Sequence, residues 1–237
     1  MIKIDVLNAF NAFWANDFRS LNHLNDAHVI LLRKKEQPEL IRDFRPISLI
    51  HSFGKLVTKC MANRLAEVLD QLVQNNQIAF IKGRSLHDNF RNVQLTCKAL
   101  HRARRSCILL KVDIARAFDS VDWVFLLKVL SHMGFGQRWR DWMSAILATA
   151  STRILLNGQP GRRICHARGL RQGDPLSPML FVLVMEALSH FLWWVEQQHL
   201  QTPVIGIVGS RVSLYADDLV IFVAPCEEDL WTVRIVL

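Results

Sequence analysis

Apolar residues recur at helical spacing over residues 5–20 and again over 51–75, where Leu56, Met61, Leu65, Leu69 and Leu72 share a face. Between these segments, HVILLRKK (28–35) is an apolar run that closes on a basic cluster, which predicts a strand. CILLKVDIARAFDSV (107–121) predicts a second strand through Val112. It breaks at Asp113 and passes through Ala-rich, turn-like sequence into a helix that starts near Asp122. Residues 123–150 read as helix, interrupted around GFG at 134–136. STRILLNGQPGRRICHARG (151–169) has the pattern of a hairpin: one arm at Ile154–Leu156, a turn running from Asn157-Gly158 through Pro160-Gly161, and a second arm from Ile164. A long helix is expected over about 176–198, with Pro175 and Pro178 at its opening, where a missing N–H leaves no helical bond unmade. PVIGIV (203–208) and RVSLYADDLVIFVA (211–224) supply the last strands, the second folded back at its Asp pair. The tail PCEEDLWTVRIVL opens like a helix, with Glu227, Glu228 and Asp229 at its positive end. Helices of this length among scattered short strands predict an α+β fold with an antiparallel sheet at its centre. No internal repeat or low-complexity linker interrupts the chain.

Composition narrows the picture. A chain of 237 residues, 51% hydrophobic and 21% charged, is long enough for a substantial core and is not of disordered type. Its net charge of +8 fits either a solvated basic surface or an anionic partner such as nucleic acid. The five cysteines include no CxxC, and the nine histidines no HxxxH or HExxH, so a zinc site or disulfide framework is not expected. Residues 1–30 lack a basic start, apolar centre and cleavage site, so secretion is not expected and the nucleus or cytoplasm is. The segment MLFVLVMEALSHFLWWV (179–195) carries Glu186, Ser189 and His190, and reads as a buried helix with no membrane partner.

Three places carry chemistry. Asp113 stands at the end of an apolar strand, and Asp217–Asp218 interrupt another. Carboxylates are rarely placed in apolar surroundings unless paired or metal-bound. If the two strands are neighbours, two of these charges about 4 Å apart would repel by roughly 4 kcal/mol at an effective dielectric near 20. A shared proton would offset that, and so would a divalent cation; hard oxygen ligands in a small cluster favour Mg²⁺. The third place is GLRQGDPLSPMLF (169–181), which opens a helix. There Gly169 and Gly173 permit close backbone approach, Arg168 and Arg171 bring charge, and Gln172 brings donors and an acceptor. No GxxxxGK[ST], GxGxxG or GxSxG is present.

Together these blocks resemble the reverse transcriptase domain of non-LTR (LINE-like) retrotransposons, particularly those of plants. YADD (215–218) resembles the family's signature, VDIARAFDSVDW (112–123) its first catalytic motif, and RGLRQGDPLSPMLF (168–181) its template- and nucleotide-positioning motif. Upstream, DFRPISLI (43–50) and NQIAFIKGR (76–84) are similar to fingers motifs. The five blocks occur in the family's order.

The resemblance implies a right-hand polymerase. Fingers with an N-terminal extension would occupy 1–106 and the palm 107–237, the two forming one reverse transcriptase domain with a central antiparallel sheet. Asp113, Asp217 and Asp218 would be catalytic and would hold two Mg²⁺, with Asp113 and Asp217 the stronger ligands. Lys34, Arg45, Phe118, Gln172 and Gly173 would bind the nucleotide, Phe118 lying beneath the sugar. Implied partners are an RNA template, a DNA primer and dNTP. The thumb of the hand, and the endonuclease of a longer polyprotein, are expected to be missing from this chain. Without a thumb, the chain is expected to be poorly soluble and weak in processive synthesis. Two departures stand out: LLRK (31–34) where the family has LIPK, and RAFD (116–119) where it has KAFD. The rival expectation is a truncated, inactive or domesticated remnant that only binds RNA.

Overall fold

The computed structural model describes residues 2–198 and 211–236, so the expected strand at 203–208 lies outside the described residues. In chain order the elements are α1 (Ile2–Trp14), α2 (Leu21–Leu24), β1 (Asp26–Arg33), β2 (Phe44–Ile50), α3 (Ser52–Leu72), α4 (Leu86–Arg102) and β3 (Ile108–Asp113). There follow α5 (Ala117–Ser120), α6 (Trp123–His132), α7 (Gln137–Ala148), β4 (Ser151–Leu156), β5 (Gln159–Cys165), α8 (Ser177–Gln197), β6 (Val212–Tyr215), β7 (Asp218–Val223) and α9 (Glu227–Val236). They form two compact units, each discontinuous in sequence. One comprises the chain up to Leu65 with Phe118–Leu180; the other comprises Ala66–Ala117 and the chain from Phe181 onward. The chain passes between them three times.

The first unit is built on a four-stranded sheet in the order β2-β1-β4-β5. β1 and β2 pair antiparallel from Ala27↔Ile50 to Arg33↔Phe44, whereas β1 and β4 run parallel. The sequence pattern did not reveal β2, because Pro46 sits inside it. β2 is an edge strand, where a missing N–H leaves no ladder bond open. The β4–β5 hairpin turns more tightly than its pattern suggests. Leu156 pairs with Gln159, leaving only Asn157 and Gly158 in the turn. Both have positive φ, 50° and 80°, the form that matches the twist of the flanking strands. Pro160 and Gly161 therefore belong to β5, the other edge. Phe13, Trp14 and Trp142 form an aromatic group, with the Trp14 and Trp142 rings 4.6 Å apart and the Arg138 guanidinium 4.4 Å above Trp14. The helix expected over 5–20 stops at Trp14, and Asn16 follows in the left-handed region.

The second unit carries a three-stranded sheet, β3-β7-β6, antiparallel throughout. Leu214, Leu219, Ile221 and Val223 are fully buried. Leu100 of α4 packs on Phe222 and Ala224. α4 is not among the helices the sequence pattern predicts; Ser85 caps it, its hydroxyl accepting from the His87 N–H at 3.2 Å. Among the described helices α8 alone is long and apolar enough to cross a membrane, yet Phe181, Leu183, Leu192 and Val195 are buried within the protein, as in a core helix. The α+β class and the antiparallel sheet bearing the acids are as expected; the second, mixed sheet is additional.

Charged groups buried in this unit fix its loops. Arg84 closes the end of α3: its guanidinium donates to the carbonyls of Asp70, Val73, Gln74 and Gln77 and pairs with the Asp70 carboxylate at 2.8 Å. Cations are favoured at a helix C-terminus, where carbonyls lack partners. Glu186 on α8 is buried, and desolvation pushes its carboxyl up to about 7, although it accepts from the Gln74 N–H at 3.2 Å and lies near Arg84. A raised acid is bound to its proton in the folded state while the unfolded chain has released it. Stability therefore falls as pH rises from about 4.5 toward 7 and stays low above. Glu186→Gln, which keeps an acceptor for Gln74, should raise unfolding free energy by about 3 kcal/mol at pH 8 and by little at pH 4.5. Chemical denaturation at both pH values checks this, and an equal gain at both would show that the carboxyl does not titrate between them.

Candidate active site

The three acids expected to act together belong to the second unit. Asp113 ends β3, Asp218 begins β7, and the two are direct cross-strand partners. Directly opposite residues share a face, with Cα atoms about 4.5–5.5 Å apart. Alternation along β3 leaves Leu109, Lys111 and Asp113 exposed and turns Ile108, Leu110 and Val112 inward. Asp113 and Asp218 therefore stand on the solvent-facing side, with Tyr215, the other partner of Asp218. β6 and β7 are joined by only Ala216 and Asp217. Ala216 takes a φ of 53°, the only described positive value in this turn, as the first position of a mirror-type hairpin turn requires. Asp217 is half-buried at the tip, beside the two exposed acids.

Lys111 lies 3.3 Å from the Asp218 carboxylate, a pair with both side chains more than half exposed. Such a pair contributes little stability, but it offsets part of the charge on Asp218 and none on its partners directly. Among the described residues no group of three or more His, Cys, Asp or Glu side chains is gathered closely enough to hold a metal ion unaided. Mg²⁺ needs no such cage: it is usually held by one or two carboxylates and completes its shell with water and substrate phosphate. Paired, exposed carboxylates at the ends of two neighbouring strands suit that kind of site.

Behind the hairpin is a residue the sequence reading passed over. Gln77 has no exposed surface. Its Oε1 accepts from the N–H of Ala216 at 3.1 Å and of Ala79 at 3.0 Å, and its Nε2 donates to the Ala216 carbonyl at 3.5 Å. Its backbone bridges to Leu214 in parallel fashion, the Leu214 N–H donating to the Asn76 carbonyl at 2.8 Å. Asn89 of α4 donates to the Leu214 carbonyl at 3.1 Å and accepts from the Ser213 hydroxyl. The one signal in the sequence was a long polar residue set directly before the apolar run Ile78–Ile81.

The five residues assigned to nucleotide binding lie in the first unit. Arg45 pairs with Leu32 across β1 and β2, and Lys34 is two residues beyond Leu32, so Lys34 and Arg45 fall on one face of the hairpin. Both are exposed. The Lys34 N–H donates to the Asp43 carbonyl at 2.8 Å and its Nζ to the Arg42 carbonyl at 3.0 Å, which fixes the lysine despite the absence of a proline at Arg33. Gln172 and Gly173 lie against the free edge of β2: the Ser48 N–H donates to the Gln172 carbonyl at 3.2 Å. Gly173 has a φ of 102°, and a Cβ there would come 3.1 Å from the Ser48 carbonyl oxygen.

Phe118 is half-buried, and its carbonyl accepts from the Leu170 N–H at 2.7 Å. Gly169 donates to the Val121 carbonyl at 2.8 Å, and its carbonyl accepts from the Trp123 indole at 2.8 Å. A side chain at Gly169 would meet the Asp119 backbone at 2.8 Å. The segments FDSVDW and RGLRQGD are thus bound to each other, with Phe118 at the start of the first and joined through its carbonyl to Leu170 of the second.

Arg171 is not a free cation. It donates to the side chain and carbonyl of Asn25 and to the Ser151 carbonyl, tying the loop to β4, and burial holds its guanidinium below the usual value. Asn25 in turn donates to the Ile146 carbonyl and the Thr149 hydroxyl. Asp174 is raised by burial, while its carboxylate accepts from the Leu176 N–H at 2.8 Å and the Ser177 N–H at 3.2 Å, opening α8. Arg168 is the exposed cation of the pair. A mostly apolar cavity of about 330 Å³ runs behind this loop, lined by Val29, Thr58, Met143, Leu147 and Thr152.

Comparison with known proteins gives the chain a family. Residues 32–236 match the family model described as reverse transcriptase (RNA-dependent DNA polymerase). The chain is 33% identical over 196 residues to a transposon TX1 uncharacterized 149 kDa protein of Xenopus laevis, covering 81% of this chain and 14% of that protein. It is 28% identical over 199 residues to the retrovirus-related Pol polyprotein of the type-2 retrotransposable element R2DM of Drosophila melanogaster, covering 83% and 18%. It thus spans less than a fifth of these relatives' length. A structure of Candida tropicalis telomerase, in complex with a fragment of telomeric RNA, superposes with a TM-score of 0.61 over 97% of this chain and 41% of that one, at 10% identity; it shares the fold. The chain belongs to the reverse transcriptase family, among relatives that are Pol proteins of non-LTR retrotransposons.

Proposed function

We propose that this chain is the polymerase part of a non-LTR retrotransposon protein, adding deoxynucleotides to a DNA primer along an RNA template. Residues 1–106 serve mainly as fingers and 107–237 as palm. The observation that carries this reading is the register that sets Asp113 opposite Asp218, with Asp217 in the two-residue turn between β6 and β7. Asp113, Asp217 and Asp218 would hold two Mg²⁺, which when bound supply charge neutralisation for the triphosphate and acidify the primer hydroxyl. Asp113 and Asp217 are the main ligands, because Lys111 already offsets part of the charge on Asp218. Lys34 and Arg45 receive the triphosphate from one face of the β1–β2 hairpin, the first as a point charge and the second as a fork. Gln172 and Gly173 let the backbone come close to the nucleotide and templating base. Phe118 closes the space beneath the sugar, where a 2′-hydroxyl would collide with its ring.

Primer extension on an RNA template with Mg²⁺ and dNTPs tests this directly. Incorporation by the wild-type chain supports the reading, and its absence under conditions where the chain remains folded and binds the primer–template would overturn it. In an active preparation, Phe118→Val should raise ribonucleotide relative to deoxyribonucleotide incorporation by about tenfold, equivalent to about 1.4 kcal/mol of lost discrimination. An unchanged ratio would make Phe118 a packing residue.

A further inference from the structure

We propose that Gln77 is a positioning residue for the acid-bearing hairpin: its buried carboxamide fixes the left-handed Ala216 peptide, and so the direction in which Asp217 leaves the turn. The inference rests on the polymerase reading above for its link to catalysis, and on geometry alone for the clamp.

The turn needs such a device. Alanine with a φ of 53° is strained by about 1–2 kcal/mol relative to a right-handed conformation. Glycine would remove that strain and loosen the turn. A two-residue connection has few bonds of its own, and this one carries a half-buried acid beside two exposed acids, whose mutual repulsion tends to spread it. Gln77 opposes this from behind. One side-chain oxygen receives two backbone N–H groups, at 3.0 and 3.1 Å, and the amide nitrogen reaches the Ala216 carbonyl at 3.5 Å. Both backbone polar groups of Ala216, in the two successive peptide units that enter and leave it, are therefore engaged by one side chain that has no surface open to water. Hydrogen bonds in such surroundings are directional and expensive to leave unmade.

The clamp is itself anchored. Arg84 binds the Gln74 and Gln77 carbonyls and holds the segment leaving α3. Asn76 donates to the Ser189 hydroxyl at 2.7 Å on α8. Asn76, Gln77 and Arg84 of the block NQIAFIKGR thus have a common role in this unit. They brace the turn that bears Asp217.

Two variants of the full chain test the proposal. Gln77→Met keeps length and volume but makes no hydrogen bond to the turn; Gln77→Glu keeps the oxygen that accepts from Ala79 and Ala216. Three readouts are taken: amide exchange across 212–219 and across α6, Mn²⁺ affinity measured without nucleic acid, and, where extension is measurable, the nucleotide dependence of its rate. In Gln77→Met, exchange at the Ala216 amide should rise at least about tenfold with α6 unchanged, Mn²⁺ affinity should fall several-fold, and kcat should fall far more than KM changes. Gln77→Glu should retain protection at Ala216. Unchanged exchange at Ala216 in Gln77→Met would overturn the clamp. Global loss of protection in both variants would overturn the positioning role and make Gln77 a residue of the fold at large. If folded wild type that binds the primer–template extends no primer, the polymerase reading fails, while exchange and Mn²⁺ binding still decide on Gln77.

Discussion

Asp217→Asn is expected to reduce primer extension by at least about a thousandfold, roughly 4 kcal/mol in the activation barrier, while the melting temperature stays within about two degrees of wild type. The substitution keeps the size of the side chain and removes its charge. Asp217 lies at the tip of a turn whose backbone is held through Ala216, not through the carboxylate. Removing one of three neighbouring negative charges relieves repulsion, so the fold has no reason to weaken. The loss falls on binding of divalent ions, for which an amide oxygen is a poor substitute. Asp113→Asn should behave alike. Asp218→Asn should lose less, because Lys111 already shares that carboxylate. Parallel measurement of single-turnover extension and thermal unfolding for the three variants checks the order. If Asp217→Asn retains most of the wild-type rate, the assignment of the acids is wrong.

The acids were legible in the sequence because they violate a pattern. Asp113 and the Asp217–Asp218 pair interrupt apolar strands, and a break of that kind needs a chemical reason. The fold of the hairpin at the Asp pair was legible too, since a strand run of that length must turn. Position in a network was not legible. Arg171 reads as a cation facing a ligand, yet Asn25 and Ser151, far away in sequence, claim its donors. Gln77 reads as one polar residue among many, and its partner Ala216 is 139 residues distant. Pro46 concealed β2 because only the sheet order, with β2 at the edge, makes proline tolerable there. The Asn157-Gly158 turn was read too broadly, since Pro160 suggested a longer loop than an edge strand requires. Local chemistry and period carry the first kind of information; pairing across long separations carries the second.

The same distinction governs what holds the hairpin's far end. Arg211 begins the segment that leads into β6, with its side chain 2% exposed. It lies 3.3 Å from Asp229 of α9, equally buried, and 3.4 Å from Glu196 of α8. Asp229 also accepts from the Ala224 N–H at 3.4 Å, just past the end of β7. One cation thus joins both outer ends of the strands whose inner ends carry Asp217 and Asp218. Replacing Arg211 with leucine leaves the Asp229 carboxylate in the interior without this partner. Loss of one member of a buried pair typically costs about 3–5 kcal/mol. Arg211→Leu is therefore expected to lower unfolding free energy by about that amount. Asp229→Leu should cost less, since Glu196 remains to pair with Arg211. The double variant should recover part of the loss, because only the partly exposed Glu196 then loses this partner. Urea unfolding of the three variants at one pH gives the comparison. A loss below about 1 kcal/mol for Arg211→Leu would mean that water reaches the pair. With the expected loss, activity should vanish on warming before the unit containing Trp142 unfolds, as the strands that present the acids separate first from their anchor.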